Sequence, residues 1–332
     1  DEEVFMQPML IYHVEKIFTF TTVSTYKAKI KAYERNYQQL TESGWTPDVI
    51  HAQSINIAGL VAHRIKLIFN TPYVVTEHNP FNIYNFPKTV QPLVRDTFHR
   101  ADLVLSISYD KLRQICMCAI DIEPNMVYNF VNEKIFDLHH EKYTPGDPLK
   151  IITVGAASLL KDHITLLKSL KIIKDNGVPF EFTFIGLRTW FENTTYIKIN
   201  EFIESNNLKK EINFIDHAER SKIPVHLNSN NIFILTSIAE GLSVSVLEAM
   251  ASGLIVVATK HGGVEDIITR ETGILVNLKD HKTIAEKLTD IYKGNIQFEP
   301  QLIREHIVSI CGTAAFSQRL SNYYEQVLQR EE

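Results

Sequence analysis

The chain has 332 residues, of which 45% are hydrophobic and 22% charged, a composition typical of a globular protein of about two domains. It excludes an intrinsically disordered chain, because disorder requires low hydrophobicity and high net charge. The net charge of −5, from 34 Lys and Arg against 39 Asp and Glu, argues against a nucleic acid partner held by bulk charge.

The N-terminal residues give no export signal. Residues 1–3 read Asp-Glu-Glu without a basic region, and no run of about 18 uncharged apolar residues occurs in the chain. We therefore expect a cytoplasmic protein without a transmembrane helix. The three cysteines are too few, and odd in number, for a disulfide framework, so we expect buried or half-buried thiols at Cys116, Cys118 and Cys311.

The first half of the chain alternates short apolar runs with helical spacing. The predicted strands lie at 48–51, 73–76 and 103–107. The predicted helices lie at 26–40, 58–69 and 109–117. Three strands are too few for a complete doubly wound domain, so we expect the first strand and its Gly-rich loop to be missing, as in an N-terminally truncated chain.

The second half alternates more clearly. Its predicted strands lie at 151–154, 180–185, 212–215, 232–236, 254–258 and 274–276. Apolar residues at helical spacing over 164–172 and 284–291 predict helices between the strands. Gly177 and Gly294 are expected to end these two helices. Continuous apolar strands separated by helices predict a parallel sheet covered on both faces.

The segment 143–148 is the best interdomain linker, because two prolines and a glycine in six residues cannot continue a helix or a central strand. We therefore predict one α/β domain over residues 1–146 and a second over 147–312. A final helix is predicted over 313–332, with an apolar stripe formed by Phe316, Leu320, Tyr323, Tyr324 and Val327.

Several motifs are absent from the sequence. It contains no GxG, GK[ST], HExxH or GxSxG, which excludes the usual dinucleotide fingerprint, the P-loop, the zincin helix and the nucleophile elbow. It also contains no DxD, so an Asp pair that holds a divalent cation on a nucleotide is not visible. The sequence therefore predicts neither a metal site nor a bound cofactor.

The segment 237–253 carries the strongest functional signal. It follows the strand at 232–236, and a helix is predicted to start near Ser243, a residue type favoured at the N-cap. Free N–H groups at such a helix start bind phosphate, and ligands of parallel sheets bind at this edge. Glu240 precedes the helix and Glu248 lies about 7 Å along it at 1.5 Å per residue. Two acids flanking an anion site suit a sugar nucleotide.

A purely structural interpretation of the same residues stays open. Ser245 and Glu248 have the spacing of a capping box, in which Glu248 only closes the helix start. Glu240 could be a solvated loop acid. In the same way, Lys161 could be a solvated lysine at a helix start, and His78 a histidine at a strand end that bonds to the backbone.

The spacing from Glu240 to Glu248 resembles the E-x7-E motif of the retaining GT-B-fold glycosyltransferases of family 4. The resemblance extends over residues 45–330. Its further markers are 248–259, 262–266, 272–276, Val154-Gly155 with Lys161, 48–53, Thr76-Glu77-His78, 101–104 with Ser108, Asn129 with Phe136, and Phe316-Ser317.

The resemblance implies two Rossmann-like domains whose parallel sheets face a central cleft. The first would be on the acceptor side, the second would bind the nucleotide sugar, and the final helix would cross back to the first. The implied reaction moves a hexose from a UDP- or GDP-linked donor to an acceptor hydroxyl, with retention and without metal, in polysaccharide or glycolipid biosynthesis. The donor is a substrate rather than a cofactor, and the acceptor would be an unidentified sugar or lipid-linked molecule.

The resemblance also implies residue roles. Glu240 would hold hydroxyls of the donor hexose, and Glu248 would accept hydrogen bonds from the ribose. Lys161 would offset charge on the leaving diphosphate, which is electrostatic stabilisation. His78 would position the sugar from across the cleft, so the implied catalytic residues are Glu240, His78 and Lys161. The implied donor-binding residues are Gly155, Lys161, Leu242, Ser243, Val244, Ser245 and Glu248.

Four residues depart from the family pattern, and the Gly-rich loop that we expect to be missing is a further and more serious departure. Ala156 stands where an arginine of the diphosphate clamp is usual, Asp216 replaces a frequent glycine, and Leu242-Ser243 replace Phe-Gly. Two alternatives stay open: a sugar-nucleotide epimerase of GT-B architecture, and a catalytically inactive homologue that binds sugar nucleotides, which Ala156 and the absent loop favour. Segment 26–35 is basic, and many relatives dock on membranes through a basic helix. A peripheral membrane contact is therefore one interpretation, although the two-residue spacing of its lysines favours a solvated face.

Overall fold

The computed structural model describes residues 23–139, 142–188 and 193–329. The expectations about an export signal and about a missing first strand fall on the N-terminal residues 1–22, which lie outside this description. In chain order the helices and strands are α1 (Val23–Glu42), β1 (Ile50–Gln53), α2 (Leu60–Phe69), β2 (Tyr73–Glu77), α3 (Gln91–Arg100), β3 (Leu103–Ser106), α4 (Tyr109–Cys118), β4 (Asn125–Met126), β5 (Leu149–Val154), α5 (His163–Asp175), β6 (Phe180–Ile185), α6 (Asn193–Ser205), β7 (Ile212–Ile215), α7 (Ile223–Asn228), β8 (Ile232–Leu235), α8 (Val244–Ala251), β9 (Ile255–Thr259), β10 (Gly273–Val276), α9 (His281–Tyr292), α10 (Pro300–Cys311) and α11 (Thr313–Leu328).

The strands form two separate parallel sheets, which confirms the predicted fold class. The first sheet has the order β1-β2-β3-β4, and the second has the order β10-β9-β8-β5-β6-β7. All nine predicted strands are present, with their ends shifted by at most two residues. Strand β4 was not predicted, because two residues of pairing leave no hydrophobic pattern in the sequence.

The neighbouring strands β8 and β9 of the second sheet are almost wholly apolar, as expected for strands of a parallel sheet that is covered on both faces. All four residues of β8 are buried, as are all five of β9. All five residues of β2, in the first sheet, are buried as well. The carboxyl ends of β2, β8 and β9 therefore lie on rigid supports. Cys118 and Cys311 are buried thiols and Cys116 is half-buried, as expected.

Helix α11 packs against the first sheet rather than the second. Its residues Phe316, Leu320, Tyr323 and Tyr324 contact a buried cluster that includes Val74, Leu103 and Leu105. Just before this helix, the backbone N–H of Val131 donates to the carbonyl of Cys311 at 2.8 Å. The predicted domain boundaries stay a prediction. Among the residues that the structure describes, no helix is long and apolar enough to cross a bilayer.

Candidate functional site

A hydrogen bond from the neighbouring strand β9 holds the loop between β8 and α8 in place. The hydroxyl of Thr259, at the end of β9, donates to the carbonyl of Ser237 at 2.6 Å. Helix α8 then begins at Val244 with Ser243 as its N-cap, which confirms the predicted helix start. The first N–H groups of α8 therefore lie at the carboxyl edge of the second sheet, where an anion is favoured.

Glu240 lies in this loop and is an ion-paired acid rather than a solvated one. Its Oε1 accepts a hydrogen bond from Nζ of Lys161 at 2.7 Å, and the hydroxyl of Ser237 donates to the same oxygen. Burial opposes ionisation of Glu240, but the Lys161 cation and the two hydrogen bonds outweigh it and hold the pKa of Glu240 below its usual value. Glu240 is therefore a carboxylate at neutral pH.

Lys161 is positioned by the turn that follows β5. A 3₁₀ turn over Leu159–Lys161 carries it, and the hydroxyl of Thr236 donates to the carbonyl of Lys161 at 3.0 Å. A Cβ on Gly155 would lie 3.3 Å from Cε of Lys161, so the glycine leaves just enough space for the lysine stem. The neighbouring Ala156 contributes only its carbonyl, which lies 3.2 Å from Nε2 of His163.

Glu248 lies inside α8 and pairs with an arginine that the sequence did not single out. The side chain of Glu248 is 5% exposed, and its Oε1 accepts from a guanidinium nitrogen of Arg220 at 2.7 Å. Burial raises the pKa of Glu248 above its usual value, and Arg220 offsets only part of this effect. The capping-box interpretation is wrong here, because Ser243 rather than Ser245 is the N-cap and Glu248 bonds to Arg220.

His78 follows β2 and reaches the site from the first sheet. Its Nε2 lies 2.6 Å from Oε1 of Gln53, so the histidine bonds to a side chain and not, as one alternative had it, to the backbone. Burial lowers the pKa of His78, and the nearby Glu77 and a hydrogen bond with Asn129 offset part of this effect. A Cβ on Gly241 would lie 2.1 Å from the carbonyl oxygen of His78, so the two loops touch through their backbones.

These residues surround one cleft, which we call the central cleft, with a volume of about 430 Å³. Seven of the nine predicted site residues line it: His78, Lys161, Glu240, Leu242, Ser243, Val244 and Ser245. Gly155 lies beneath Lys161 instead. Glu248 does not line the central cleft, but its partner Arg220 lines an adjacent cavity of about 520 Å³ that shares Val244. Glu240 therefore lines the central cleft, whereas Glu248 is buried inside α8 and bonds to the guanidinium group that lines the adjacent cavity.

Sequence reasoning missed several residues around the cleft. Ser237 and Arg220 hold the two acids, but neither belongs to a recognisable motif. His261 is 6% exposed, and neither of its ring nitrogens has a hydrogen-bond partner in the described chain. Burial lowers the pKa of His261, while Glu240 and Glu265 act in the opposite direction. A lone histidine after a strand gives no signal in one sequence.

Comparison with known proteins places the chain in a family. The model of the glycosyl transferases of group 1 matches residues 135–305, which is just over half of the chain. A second model, described as glycosyltransferase family 4, matches residues 7–134. The chain belongs to the group 1 glycosyl transferases. The two matches meet near the end of the first sheet, so the central cleft lies between the two matched regions.

Curated relatives of this group 1 chain are more distant. It is 26% identical over 250 residues to the putative colanic acid biosynthesis glycosyltransferase WcaL of Escherichia coli, covering 73% of this chain and 58% of that protein. It is 26% identical over 179 residues to the amylovoran biosynthesis glycosyltransferase AmsK of Erwinia amylovora, covering 52% and 41%. The chain thus spans about half the length of the curated relatives that it matches.

Solved structures of similar fold confirm the predicted GT-B architecture. Sucrose-phosphate synthase from Thermosynechococcus elongatus superimposes with a TM-score of 0.76 at 17% identity, covering 94% of this chain and 81% of that one. Anabaena Alr3699/HepE in complex with UDP-glucose superimposes with a TM-score of 0.75 at 16% identity, covering 89% and 82%. At these identities the likeness shows the fold alone.

Proposed function

We propose that this chain transfers a hexose from a nucleotide diphosphate sugar to an acceptor hydroxyl. The observation that carries the proposal is the central cleft, which combines a helix start, the cation of Lys161 and the carboxylate of Glu240 within one space. A helix start and a lysine attract a diphosphate, whereas a carboxylate accepts hydrogen bonds from sugar hydroxyls. Membership of the group 1 glycosyl transferases supports the same activity.

The geometry suggests where each part of the donor binds. The diphosphate would lie against the backbone N–H groups of 243–245, with Lys161 beside it. The hexose would then lie between Glu240 and His78, which line the same cleft from opposite sheets. The ribose would bind on the other side of the α8 start, near Glu248 and its partner Arg220.

We also propose that the reaction proceeds with retention and that Lys161 supplies the charge neutralisation for which other enzymes use a metal. Its ammonium group lies at the cleft end of β5, where negative charge would grow on the departing diphosphate. The anomeric configuration of the product, read by NMR, tests retention. Turnover that is unchanged in the presence of EDTA is the expected result for metal independence, and loss of turnover would overturn it.

For the donor we propose a UDP-linked or a GDP-linked sugar, with UDP-glucose as the first to test, because Anabaena Alr3699/HepE was solved with it. The named relatives act in colanic acid and amylovoran biosynthesis, so a polysaccharide or glycolipid pathway is proposed here as well. The acceptor is taken to be a sugar or a lipid-linked sugar, and any membrane contact would be peripheral.

The test combines binding with turnover. We expect UDP or GDP to raise the melting temperature, since a ligand at 100 times its Kd adds about 2.7 kcal/mol of stability. We expect Glu240→Gln to lose sugar release from UDP-glucose or GDP-mannose, whereas the exposed Glu271→Gln control keeps it. A protein that binds nucleotide without any turnover would instead be an inactive homologue, a candidate that Ala156 in the clamp segment favours.

A further inference from the structure

Residues 262–266, which we call the bridging segment, connect the two halves of the chain. The segment follows β9 of the second sheet and ends in a short 3₁₀ turn over Val264–Asp266. From this turn the half-buried side chain of Asp266 reaches the first half, where its Oδ2 accepts a hydrogen bond from the backbone N–H of Tyr109 at 2.7 Å. Tyr109 is the first residue of α4, so Asp266 caps a helix of the opposite half.

The start of α4 thus receives caps from both halves of the chain. The hydroxyl of Ser108, the N-cap residue, accepts a hydrogen bond from the N–H of Lys111 at 3.2 Å. Asp266 accepts from Tyr109, whose N–H is one of the first four in the helix and has no partner inside it. The helix dipole also favours a carboxylate at this end. The cap from Asp266 therefore holds the second half against α4.

Two glycines allow the bridging segment to lie close to both of its neighbours. A Cβ on Gly262 would lie 2.5 Å from Oδ2 of Asp110, in the first turn of α4. A Cβ on Gly263 would lie 1.7 Å from the carbonyl oxygen of Gly241, the residue that follows Glu240. The segment that caps α4 therefore also supports the loop that carries Glu240.

The bond between Asp266 and Tyr109 lies one strand away from the central cleft in each sheet. Strand β3, which leads into α4, pairs with β2, and His78 follows β2. Strand β9, which leads into the bridging segment, pairs with β8, and the loop after β8 carries Glu240. Neighbouring strands lie about 4.8 Å apart. A shift at this bond therefore changes the separation of His78 and Glu240 over a distance of one strand spacing.

The surroundings of Asp266 are unfavourable for an ionised carboxylate. Burial raises the pKa of Asp266, and the nearby acids Glu265 and Asp110 act in the same direction. The N–H of Tyr109 and the cation of Arg113 oppose this effect only in part. An acid that is disfavoured at its position and bonds to the opposite half of the chain is expected to serve the function rather than the stability of the fold.

We propose that Asp266 is a positioning residue of the transfer reaction, which keeps the central cleft at its reactive width by capping α4 from the opposite half. With this cap in place, Glu240 and His78 face the same space. Without it, the two halves can separate while the donor contacts of the second half stay intact. The inference rests on the proposed transfer reaction and adds to it a residue that does not line the cleft.

The test removes the bond from each of its two ends. Asp266→Ala removes the acceptor, whereas Asp266→Asn keeps an oxygen that can accept the same hydrogen bond. Tyr109→Pro removes the donor N–H, because proline is favoured at the first position of a helix and the extended backbone of Ser108 tolerates a following proline.

Two further variants serve as controls. Tyr109→Ala keeps the N–H and reports the loss of the tyrosine ring, which is 56% exposed. Glu271→Ala removes an exposed acid from the same connection between β9 and β10 and is the matched control for Asp266→Ala. Melting temperatures are measured for the whole set, and we expect Asp266→Ala to lose no more than about 3 °C.

The kinetic readout is sugar release from UDP-glucose or GDP-mannose, together with the Kd of UDP from calorimetry. We expect Asp266→Ala and Tyr109→Pro each to lower kcat by about tenfold or more, because a displacement of about 1 Å at the reacting atoms costs roughly 10²-fold in rate. The Kd of UDP should change by less than about twofold, since the proposed nucleotide contacts lie in the second half. The double variant should be about as slow as either single variant, because both changes remove one bond. Asp266→Asn and the two control variants should stay close to the unmodified chain.

Hydrogen exchange reports the bond itself and needs no turnover. The peptide that covers the start of α4 is followed by mass spectrometry in the full chain with UDP present. We expect exchange at Tyr109 to become about tenfold faster or more in Asp266→Ala, because its N–H loses the acceptor, and to stay slow in Asp266→Asn and Glu271→Ala.

Three results would overturn the assignment. They are an unchanged kcat in Asp266→Ala, a fall in kcat that is matched by an equal loss of UDP affinity or of melting temperature in that variant, and unchanged exchange at Tyr109. If Tyr109→Pro does not fold, the comparison of Asp266→Ala with Asp266→Asn decides alone. Absence of sugar release by the unmodified chain would instead count against the proposed function. The two failures are distinguishable, because hydrogen exchange is read without donor turnover.

Discussion

Nζ of Lys161 lies 2.7 Å from Oε1 of Glu240, so the cation and the acid that we assign to the donor neutralise each other in the structure. They come from different elements, the turn after β5 and the loop after β8. A bound donor would compete for both groups, its diphosphate for Lys161 and its hydroxyls for Glu240. The ion pair therefore keeps the two side chains oriented toward the space that the donor would enter.

Replacing Lys161 by Met should reduce turnover far more than donor affinity. A charge aimed at the leaving diphosphate acts mainly in the transition state, where its removal costs roughly 10²–10³-fold in kcat. The control is Lys168→Met, an exposed lysine on α5. Steady-state kinetics with UDP-glucose would measure both parameters. A variant with normal kcat and a raised KM would assign Lys161 to ground-state binding only.

The same ion pair predicts a pH-dependent stability. The pKa of Glu240 is lowered in the folded state, so the pair contributes stability above the unfolded pKa and loses it as pH falls through the folded pKa. Lys161→Met should therefore destabilise the protein most at pH 7 and least at pH 3.5. We expect a coupling energy of about 1–3 kcal/mol at pH 7 in a double-mutant cycle with Glu240→Gln, and a smaller one at pH 3.5, both measured by urea unfolding.

Much of the fold was readable from the sequence because buried parallel strands are continuous apolar runs. The strands β8 and β9 are of this kind, and the start of α8 was readable because Ser243 is a good N-cap residue. Strand β4 and the helices α3, α6, α7 and α10 were not among the predicted ranges. Strand β4 pairs over only two residues. The helices α3, α7 and α10 each have a proline in the first turn, but a proline alone also marks loops and strand ends, so it did not distinguish them.

The candidate site could be predicted only in part from the sequence. The acids Glu240 and Glu248 stood out by their spacing around a predicted helix start, but their partners are set by tertiary contacts. Arg220 lies 28 residues before Glu248 in the chain. Asn129 lies 113 residues before Leu242, whose carbonyl it contacts. No periodicity or local spacing in one sequence can predict contacts of this range.

The Arg220 contact makes a prediction about nucleotide binding. Burial already raises the pKa of Glu248, and Arg220→Gln would remove the group that opposes this effect. Because the ribose hydroxyls would need an ionised acceptor for their strongest hydrogen bonds, UDP affinity in this variant should begin to fall at a higher pH than in the unmodified chain. Calorimetric titration measures the UDP affinity at each pH, and the exposed Lys222→Gln variant is the control.

The last prediction concerns the contact between the two sheets at the cleft. A Cβ on Gly241 would lie 2.1 Å from the carbonyl oxygen of His78 and 2.7 Å from Cδ1 of Ile107. Both of those atoms belong to the first half of the chain, whereas Gly241 belongs to the second. Gly241→Ala should therefore push the two halves apart by the space of one methyl group while each half keeps its own core.

Displacement of about 1 Å at reacting atoms costs roughly 10²-fold in rate, so we expect Gly241→Ala to lose most of its transfer activity. UDP affinity should change less than threefold, because the proposed phosphate and ribose contacts all lie in the second half. Gly177→Asn is the matched control: its φ of +74° suits asparagine, and a Cβ there meets no atom within 4 Å. Normal transfer by Gly241→Ala would mean that the reactive geometry does not require this close approach of the two halves.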